Sequence, residues 1–184
     1  MTEKHEGALE QTRRLLEAQN REAADASTWR ALGLDVVGHK MVLPISDVIE
    51  LAVCENITPV PLTQPWVRGL TNLRGQLYTV VDLSVFLGGE ETRLSRDARI
   101  VLLADEGLNS CLLISGVIGL KVLHDEAPAP VNPGLDGILA AYFRHQVELD
   151  GERWLVLDVG AVLADQRFLD PSRIHAVTGR GVSL

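Results

Sequence analysis

From Trp29 to Asp158 the chain is a succession of short apolar runs, each ended by glycine, proline or a polar pair. Runs of this length favour strands over helices, because a buried helix needs a longer periodic segment. The segments Thr58–Pro65 and Ala127–Gly134 are rich in proline, which cannot donate to a sheet and does not fit a helix interior. The pattern therefore predicts an all-β fold of closed or sandwiched antiparallel sheets rather than alternating βαβ units.

About nine strands are expected from these runs and the turn residues between them. The run from Cys111 to Leu123 is interrupted by Gly116 and Gly119, which suggest bulges or bends within one strand. Asp150-Gly151 is the strongest two-residue hairpin signal in the chain. The predicted strands are Trp29–Val37, Lys40–Leu43, Val48–Cys54, Leu70–Leu73, Gln76–Leu83, Arg99–Ala104, Cys111–Leu123, Ile138–Leu149 and Glu152–Asp158.

Segments of different composition lie on either side of this β region. Residues 7–26 lack proline, are rich in helix formers and carry only a thin apolar stripe. They predict an exposed or loosely docked helix, with a partner-binding helix as the alternative. Asp158 can cap a short helix that ends near Ala164. The expected organisation is a helical N-terminal extension over 1–27, one domain over 28–170 and a flexible tail over 171–184.

The charge balance bears on possible partners. There are 25 acidic against 17 basic residues, for a net charge of −8. Binding to nucleic acid or to an anionic membrane needs a basic face, so neither is expected. No apolar segment has the length of a membrane span or of a secretory signal, and we expect a cytoplasmic protein.

The search for catalytic groups finds little. The five histidines stand singly, and no nucleotide-binding loop, nucleophile elbow or metal-ligand spacing is present. Cys54 and Cys111 lie in apolar runs and are interpreted as buried thiols, with a disulfide or a metal pair as the alternative. Asp82 at the end of a strand is interpreted as a cap or turn group. The sequence thus predicts no enzyme, cofactor or metal, and a small β-barrel hydrolase is the alternative from another class.

The stretch Gly69–Leu83, GLTNLRGQLYTVVDL, contains an unusually polar turn between apolar strands. Gly75 can adopt a positive φ, which lets the flanking runs pair as a hairpin, and Asn72 can bond to local backbone. Taken alone, Arg74 at such a turn would simply point into water.

Residues 65–83 closely resemble the signature of the CheW family of bacterial chemotaxis adaptors. The shared elements are a proline-led segment, then G-x-x-N-L-R-G, an apolar strand and a terminal Asp-Leu. Val48-Ile-Glu50-Leu resembles the V-x-E-I strand of the family, and Asp150 to Leu163 resembles its closing hairpin and helix. The resemblance extends over roughly residues 28 to 168.

This resemblance implies two interlocked five-stranded SH3-like barrels and a non-catalytic scaffold. In the family, such a scaffold couples the cytoplasmic tips of methyl-accepting chemoreceptors to the regulatory domain of a histidine kinase. Arg74 and Glu50 match the characteristic acid–base pair of the family. The expected partner-binding residues are Val48, Glu50, Gly69, Asn72, Arg74 and Gly75.

The resemblance is incomplete in places. Residues 127–146 match poorly, and Val67 and Arg68 stand where the family often has an apolar residue and a lysine. The long N-terminal segment, with Trp29 opening the first strand, is more similar to adaptors of type IV pilus (twitching) signalling than to flagellar ones. A fragment of a larger adaptor, such as one fused to a receiver, is disfavoured because neither flank has room for a receiver domain.

Overall fold

The computed structural model describes residues 28–104, 109–124, 129–131 and 137–170. The helical arm predicted over 1–27 and the tail predicted over 171–184 lie outside these residues. The strands are β1 (Thr28–Val36), β2 (His39–Pro44), β3 (Val48–Val53), β4 (Val67–Leu73), β5 (Gln76–Asp82), β6 (Arg99–Leu103), β7 (Ser110–Ile114), β8 (Gly119–His124), β9 (Ala129–Pro130), β10 (His145–Leu149) and β11 (Glu152–Val156). The α-helices are α1 (Leu83–Phe86), α2 (Val159–Leu163) and α3 (Gln166–Leu169), and 3-10 helices span Ile45–Asp47 and Gly137–Ala141.

The strands form two sheets, so the prediction of a mostly β fold is confirmed. One sheet has six strands in the order β8-β1-β2-β11-β10-β9, and the other has five in the order β3-β6-β7-β5-β4. The chain begins in the six-stranded sheet, builds the whole five-stranded sheet, and then returns to complete the first. This path connects the two sheets twice, at Ile45–Asp47 and between β7 and β8.

Alternate residues of the central strands are buried on opposite sides of each sheet. In β6, Ile100 and Leu102 lie in a small core inside the five-stranded sheet, whereas Val101 and Leu103 lie in a larger core shared with the other sheet. In β1 and β2, Ala31 and Val42 likewise belong to a third core inside the six-stranded sheet. The run over residues 100–103 is continuously apolar for this reason: both faces are removed from water.

The predicted strand Cys111–Leu123 is wrong as a single element. It is divided into β7 and β8, which belong to different sheets. Gly116 lies at the crossing, where a Cβ atom would come within 3.2 Å of the Asp97 carbonyl oxygen. The glycine therefore marks a close passage between segments rather than a bulge in a continuous strand.

The predicted strand Ile138–Leu149 is also too long. Its first part is the 3-10 helix Gly137–Ala141, and pairing with β11 begins only at His145. Tyr142 and Phe143 between them are buried in the shared core. Apolar content alone could not separate this packed turn from a strand, because both bury side chains.

The end of one further strand differs from expectation, and two predicted helix caps are present. The strand predicted to reach Leu83 stops at Asp82, whose carboxylate accepts from the Ser84 and Val85 amides and caps α1. This confirms the capping role predicted for Asp82. Asp158 caps α2 by accepting from the Ala161 amide, as predicted, and the following α3 was not foreseen.

Candidate functional site: a hairpin turn, a curled sheet and a cleft

The β4–β5 turn has the backbone conformation that the sequence predicted for Gly75. Arg74 and Gly75 have φ values of +52° and +85°, as in a type I′ turn. The Asn72 Oδ1 atom accepts a hydrogen bond from the Gly75 amide at 2.8 Å. Asn72 and Gly75 therefore fix the turn, and Arg74 is held at its tip.

Gly69 is required by a close approach of two backbones. Its φ is +136°, and an added Cβ would lie 2.1 Å from the Thr58 carbonyl oxygen. Thr58 and Leu70 exchange two backbone hydrogen bonds of 2.8 Å, which hold the proline-rich connection against the edge of β4. No side chain fits between them.

The Arg74 and Glu50 side chains form an ion pair across the open edges of the five-stranded sheet. Arg74 Nη2 lies 3.0 Å from Glu50 Oε1, and the two side chains are 67% and 26% exposed. Glu50 is on β3 and Arg74 directly follows β4, and these are the outermost strands of that sheet. The sheet is therefore curled until its two edges meet at this pair.

A β-bulge immediately precedes a predicted site residue on each edge strand. The register of β3 shifts between Val48 and Glu50, and that of β4 shifts between Val67 and Gly69. Bulges bend an edge and redirect side chains, and they are frequent beside functional sites. Val48 packs against the shared core, whereas Ile49 at the β3 bulge is exposed.

Large apolar side chains are exposed beside the ion pair. Ile49 precedes Glu50, and Leu77, also exposed, is paired with Asn72 in the β4–β5 ladder. A surface that combines exposed apolar side chains with a charged pair is more typical of a protein–protein interface than of a surface that only contacts water.

A second feature is a cleft of about 400 Å³ between the two sheets. One wall is the end of β1 and its turn, and the other is formed by the start of α1, the loop after it and the end of β7. The lining residues are Asp35, Val36, Val37, Leu83, Ser84, Glu90, Glu91, Thr92, Arg93, Ser95, Ile114 and Ser115.

A buried polar network holds the loop wall of this cleft. The Asp82 carboxylate is fully buried and accepts from the Thr92 amide at 2.8 Å and the Thr92 hydroxyl at 2.7 Å. Arg68 Nη1 donates to Asp82 Oδ2 at 3.1 Å and to the Thr92 carbonyl at 3.2 Å. The same guanidinium lies 2.7 Å from Glu91 Oε1, so one arginine joins β4 to the loop.

The two thiols are poor candidates for chemistry. Burial raises the pKa of Cys111 to about 12, with Cys54 adding to the effect. Burial also raises the pKa of Cys54, although the Arg68 guanidinium partly opposes it. Neither is a ready thiolate at neutral pH. Within the described residues, no group of three or more His, Cys, Asp or Glu could hold a metal ion, and no helix there has the length and hydropathy to cross a membrane.

The structure thus brings Glu50 and Arg74 into contact and assigns conformational roles to Gly69, Asn72 and Gly75. The sequence interpretation missed the cleft and the Arg68 network, because both depend on residues far apart along the chain. The one sequence signal for the Arg68–Asp82–Thr92 network was the aspartate at the end of an apolar strand, Asp82. The binding of partners by Val48, Glu50, Gly69, Asn72, Arg74 and Gly75 stays a prediction.

Comparison with known proteins agrees with this architecture. The family model for the CheW-like domain matches residues 30–167, and the chain belongs to this family. It is 28% identical over 143 residues to protein PilI from Pseudomonas aeruginosa. The aligned region covers 78% of this chain and 80% of that protein. The crystal structure of the scaffolding protein TtCheW from Thermoanaerobacter tengcongensis has a TM-score of 0.61 and 23% identity, over 70% of this chain and 88% of that one. This structural similarity shows the shared fold.

Proposed function

We propose that this protein is a non-catalytic scaffold that couples chemoreceptors to a chemotaxis-type histidine kinase. Membership of the CheW-like family supports a role in chemotaxis-like signalling. The likeness to protein PilI and the long N-terminal segment favour the type IV pilus branch. The protein would act in the cytoplasm, at receptor arrays reached through its partners.

The observation that carries the proposal is the Glu50–Arg74 pair at the meeting edges of the curled sheet. Arg74 keeps most of its surface in water while Glu50 fixes its orientation. A guanidinium held in this way can offer its remaining donors to a carboxylate or carbonyl of a partner. Exposed Ile49 and Leu77 supply apolar contact area beside it.

The two surfaces suit two different partners. We assign the β3 and β4 edges to the regulatory domain of the kinase, and the cleft to the helical tip of a receptor. A helix that docks in a groove needs apolar anchors rather than reactive groups. Among the apolar residues that line the cleft, Val37 is exposed, whereas Val36, Leu83 and Ile114 belong to the buried core beneath it.

Binding of purified partners tests this function. We expect the wild-type chain to bind both the kinase regulatory domain and a coiled-coil receptor-tip fragment in isothermal titration. Arg74→Glu should weaken kinase binding, whereas the control Arg153→Glu, an exposed charge reversal on β11, should not. If the wild-type protein binds neither partner, the proposal is contradicted. Substrate turnover in a hydrolase screen with divalent metal would instead support the alternative, a small β-barrel hydrolase.

A further inference from the structure

The connection between β3 and β4 exposes an unbroken apolar segment. Pro59, Val60, Pro61 and Leu62 are all exposed. At 74%, Leu62 is the most exposed large apolar side chain in the part of the chain that the structure describes. Four consecutive exposed apolar residues are unfavourable in a soluble protein unless they take part in binding. The loop over residues 59–62 is therefore a candidate contact surface.

The backbone conformation at Leu62 is also unusual. Its φ is +60°, and it follows Pro61, which is the combination found in a type II turn. The Thr63 hydroxyl closes the turn by donating to the Val60 carbonyl at 3.0 Å. The third position of a type II turn favours glycine or asparagine, because other side chains at positive φ crowd the backbone. An exposed leucine gains little from packing, so neither the turn nor the core accounts for this residue.

The loop is held in place by the fold. Thr58 and Leu70 exchange two backbone hydrogen bonds of 2.8 Å, which attach the start of the loop to the outer edge of β4. Pro59 and Pro61 have fixed φ values and no amide hydrogen. A segment ordered in this way loses little conformational entropy on binding, so its exposed apolar area can contribute to affinity.

The composition of the loop defines the kind of surface that it fits. Residues 56–67 contain no acidic or basic residue, although 23% of the chain is charged. A partner that faces this loop gains nothing from a charge of either sign. Exposed proline-rich segments bind in apolar grooves lined with aromatic side chains. The loop therefore fits an uncharged apolar groove on another protein.

The position of the loop favours the kinase over the receptor. The lining of the cleft comes from other segments, whereas the loop is attached to β4, the strand that leads to Arg74. Thr58 and Leu70 pair antiparallel, so the loop runs from there toward the Val67 end of β4. Leu62 and Arg74 thus lie toward opposite ends of a strand of seven residues, which is about 20 Å long. An interface of about 800 Å² per partner is roughly 30 Å across and covers both ends.

We propose that the loop over residues 59–62 is a second contact for the kinase regulatory domain, in which Leu62 inserts into an uncharged apolar groove on that domain. This inference rests on the proposed function, because it takes the kinase as the partner of the β3 and β4 edges. It requires that a better turn residue at position 62 stabilises the fold and weakens binding in the same variant.

Leu62→Asn tests the inference, because asparagine suits the turn but removes the apolar side chain. It should raise the midpoint of thermal unfolding by about 2–4 °C. It should also weaken binding of the purified kinase regulatory domain by about tenfold in isothermal titration. Leu62→Met keeps an apolar side chain and should bind within about threefold of the wild type. The matched control is Leu94→Asn, the same exchange at an exposed leucine after α1, which should change neither quantity.

The outcomes separate the inference from the function it rests on. If the wild type binds the kinase domain and Leu62→Asn binds it equally well, the inference is overturned. It also fails if Leu62→Asn weakens only the binding of a coiled-coil receptor-tip fragment. If the wild type dimerises in sedimentation and Leu62→Asn does not, the loop contacts a second copy of this chain and the inference is again wrong. If the wild type does not bind the kinase domain at all, the proposed function is contradicted and the inference fails with it.

Discussion

Two arginines of the β4 hairpin each pair with a carboxylate, yet their surroundings are opposite. Arg68 lies within β4, is mostly buried, and contacts the fully buried Asp82. Arg74 directly follows β4, is mostly exposed, and contacts the partly exposed Glu50. The same chemistry is thus used inside the fold and on its surface.

The difference in burial assigns the two pairs different roles. Removing one partner of a buried pair leaves a charge or several donors without solvent, which destabilises the fold strongly. An exposed pair contributes little, because water screens it and ordering two long side chains costs entropy. Arg68 and Asp82 therefore stabilise the fold, and we propose that Arg74 and Glu50 serve in recognition.

Asp82→Ala is the change with the largest expected effect on stability. It removes the acceptor for Arg68, the Thr92 groups and the α1 amides. We expect the free energy of unfolding to fall by about 3–5 kcal/mol in urea titration. A loss below 1 kcal/mol would show that water reaches the site and that the two pairs do not differ as described.

Gly69→Ala tests the close approach of the Gly69 and Thr58 backbones, which lies on β4 between Arg68 and Arg74. Its methyl group would clash with the Thr58 carbonyl and would sit on a backbone of positive φ. We expect a loss of about 2–4 kcal/mol from overpacking and strain. Gly119→Ala is the control, since an added Cβ there meets nothing within 4 Å. Equal effects of the two substitutions would contradict the crowding at Gly69.

Gly75→Val tests the turn itself. A Cβ added at Gly75 would meet no atom within 4 Å, but the backbone φ is +85°. The loss of stability therefore comes from backbone strain and not from a clash. A β-branched residue there should destabilise the fold by about 1–3 kcal/mol, measured by thermal unfolding. Gly75→Asn should cost less, because asparagine tolerates positive φ. An unchanged midpoint for the valine variant would reject the conformational requirement.

Much of this hairpin could be predicted from the sequence, because its signals are local. Gly75 after Arg74, Asn72 two residues before it and the mostly apolar run of β5 specify a turn between two strands. The contact between Arg74 and Glu50 was accessible only through resemblance to a family, since nothing local joins β3 to the β4–β5 turn.

The remaining features depend on contacts over long distances. The clash at Gly69 comes from Thr58, and the burial of Asp82 comes from Thr92 on a later loop. The division of Cys111–Leu123 into two strands follows from the passage of Gly116 against Asp97. Apolar periodicity reports how a segment is buried and not which sheet buries it.

Exchanging the charges of Arg74 and Glu50 tests whether this exposed pair acts through its internal contact or through contact with a partner. Arg74→Glu combined with Glu50→Arg restores an ion pair of opposite direction at the same place. If the two residues mainly position each other, the double variant should recover part of the kinase affinity lost in Arg74→Glu. If Arg74 contacts the partner directly, recovery should be absent.

The most direct test of the exposed pair is Arg74→Glu, measured for stability and for binding in the same preparation. We expect the free energy of unfolding to change by at most about 1 kcal/mol, because the pair is largely solvated. Affinity for the kinase regulatory domain should fall by about 2–5 kcal/mol, the range for loss of a charge partner in an interface. Arg153→Glu should change neither quantity appreciably. Unchanged affinity in Arg74→Glu, or a loss of stability as large as that of Asp82→Ala, would contradict the assignment of Arg74 to recognition.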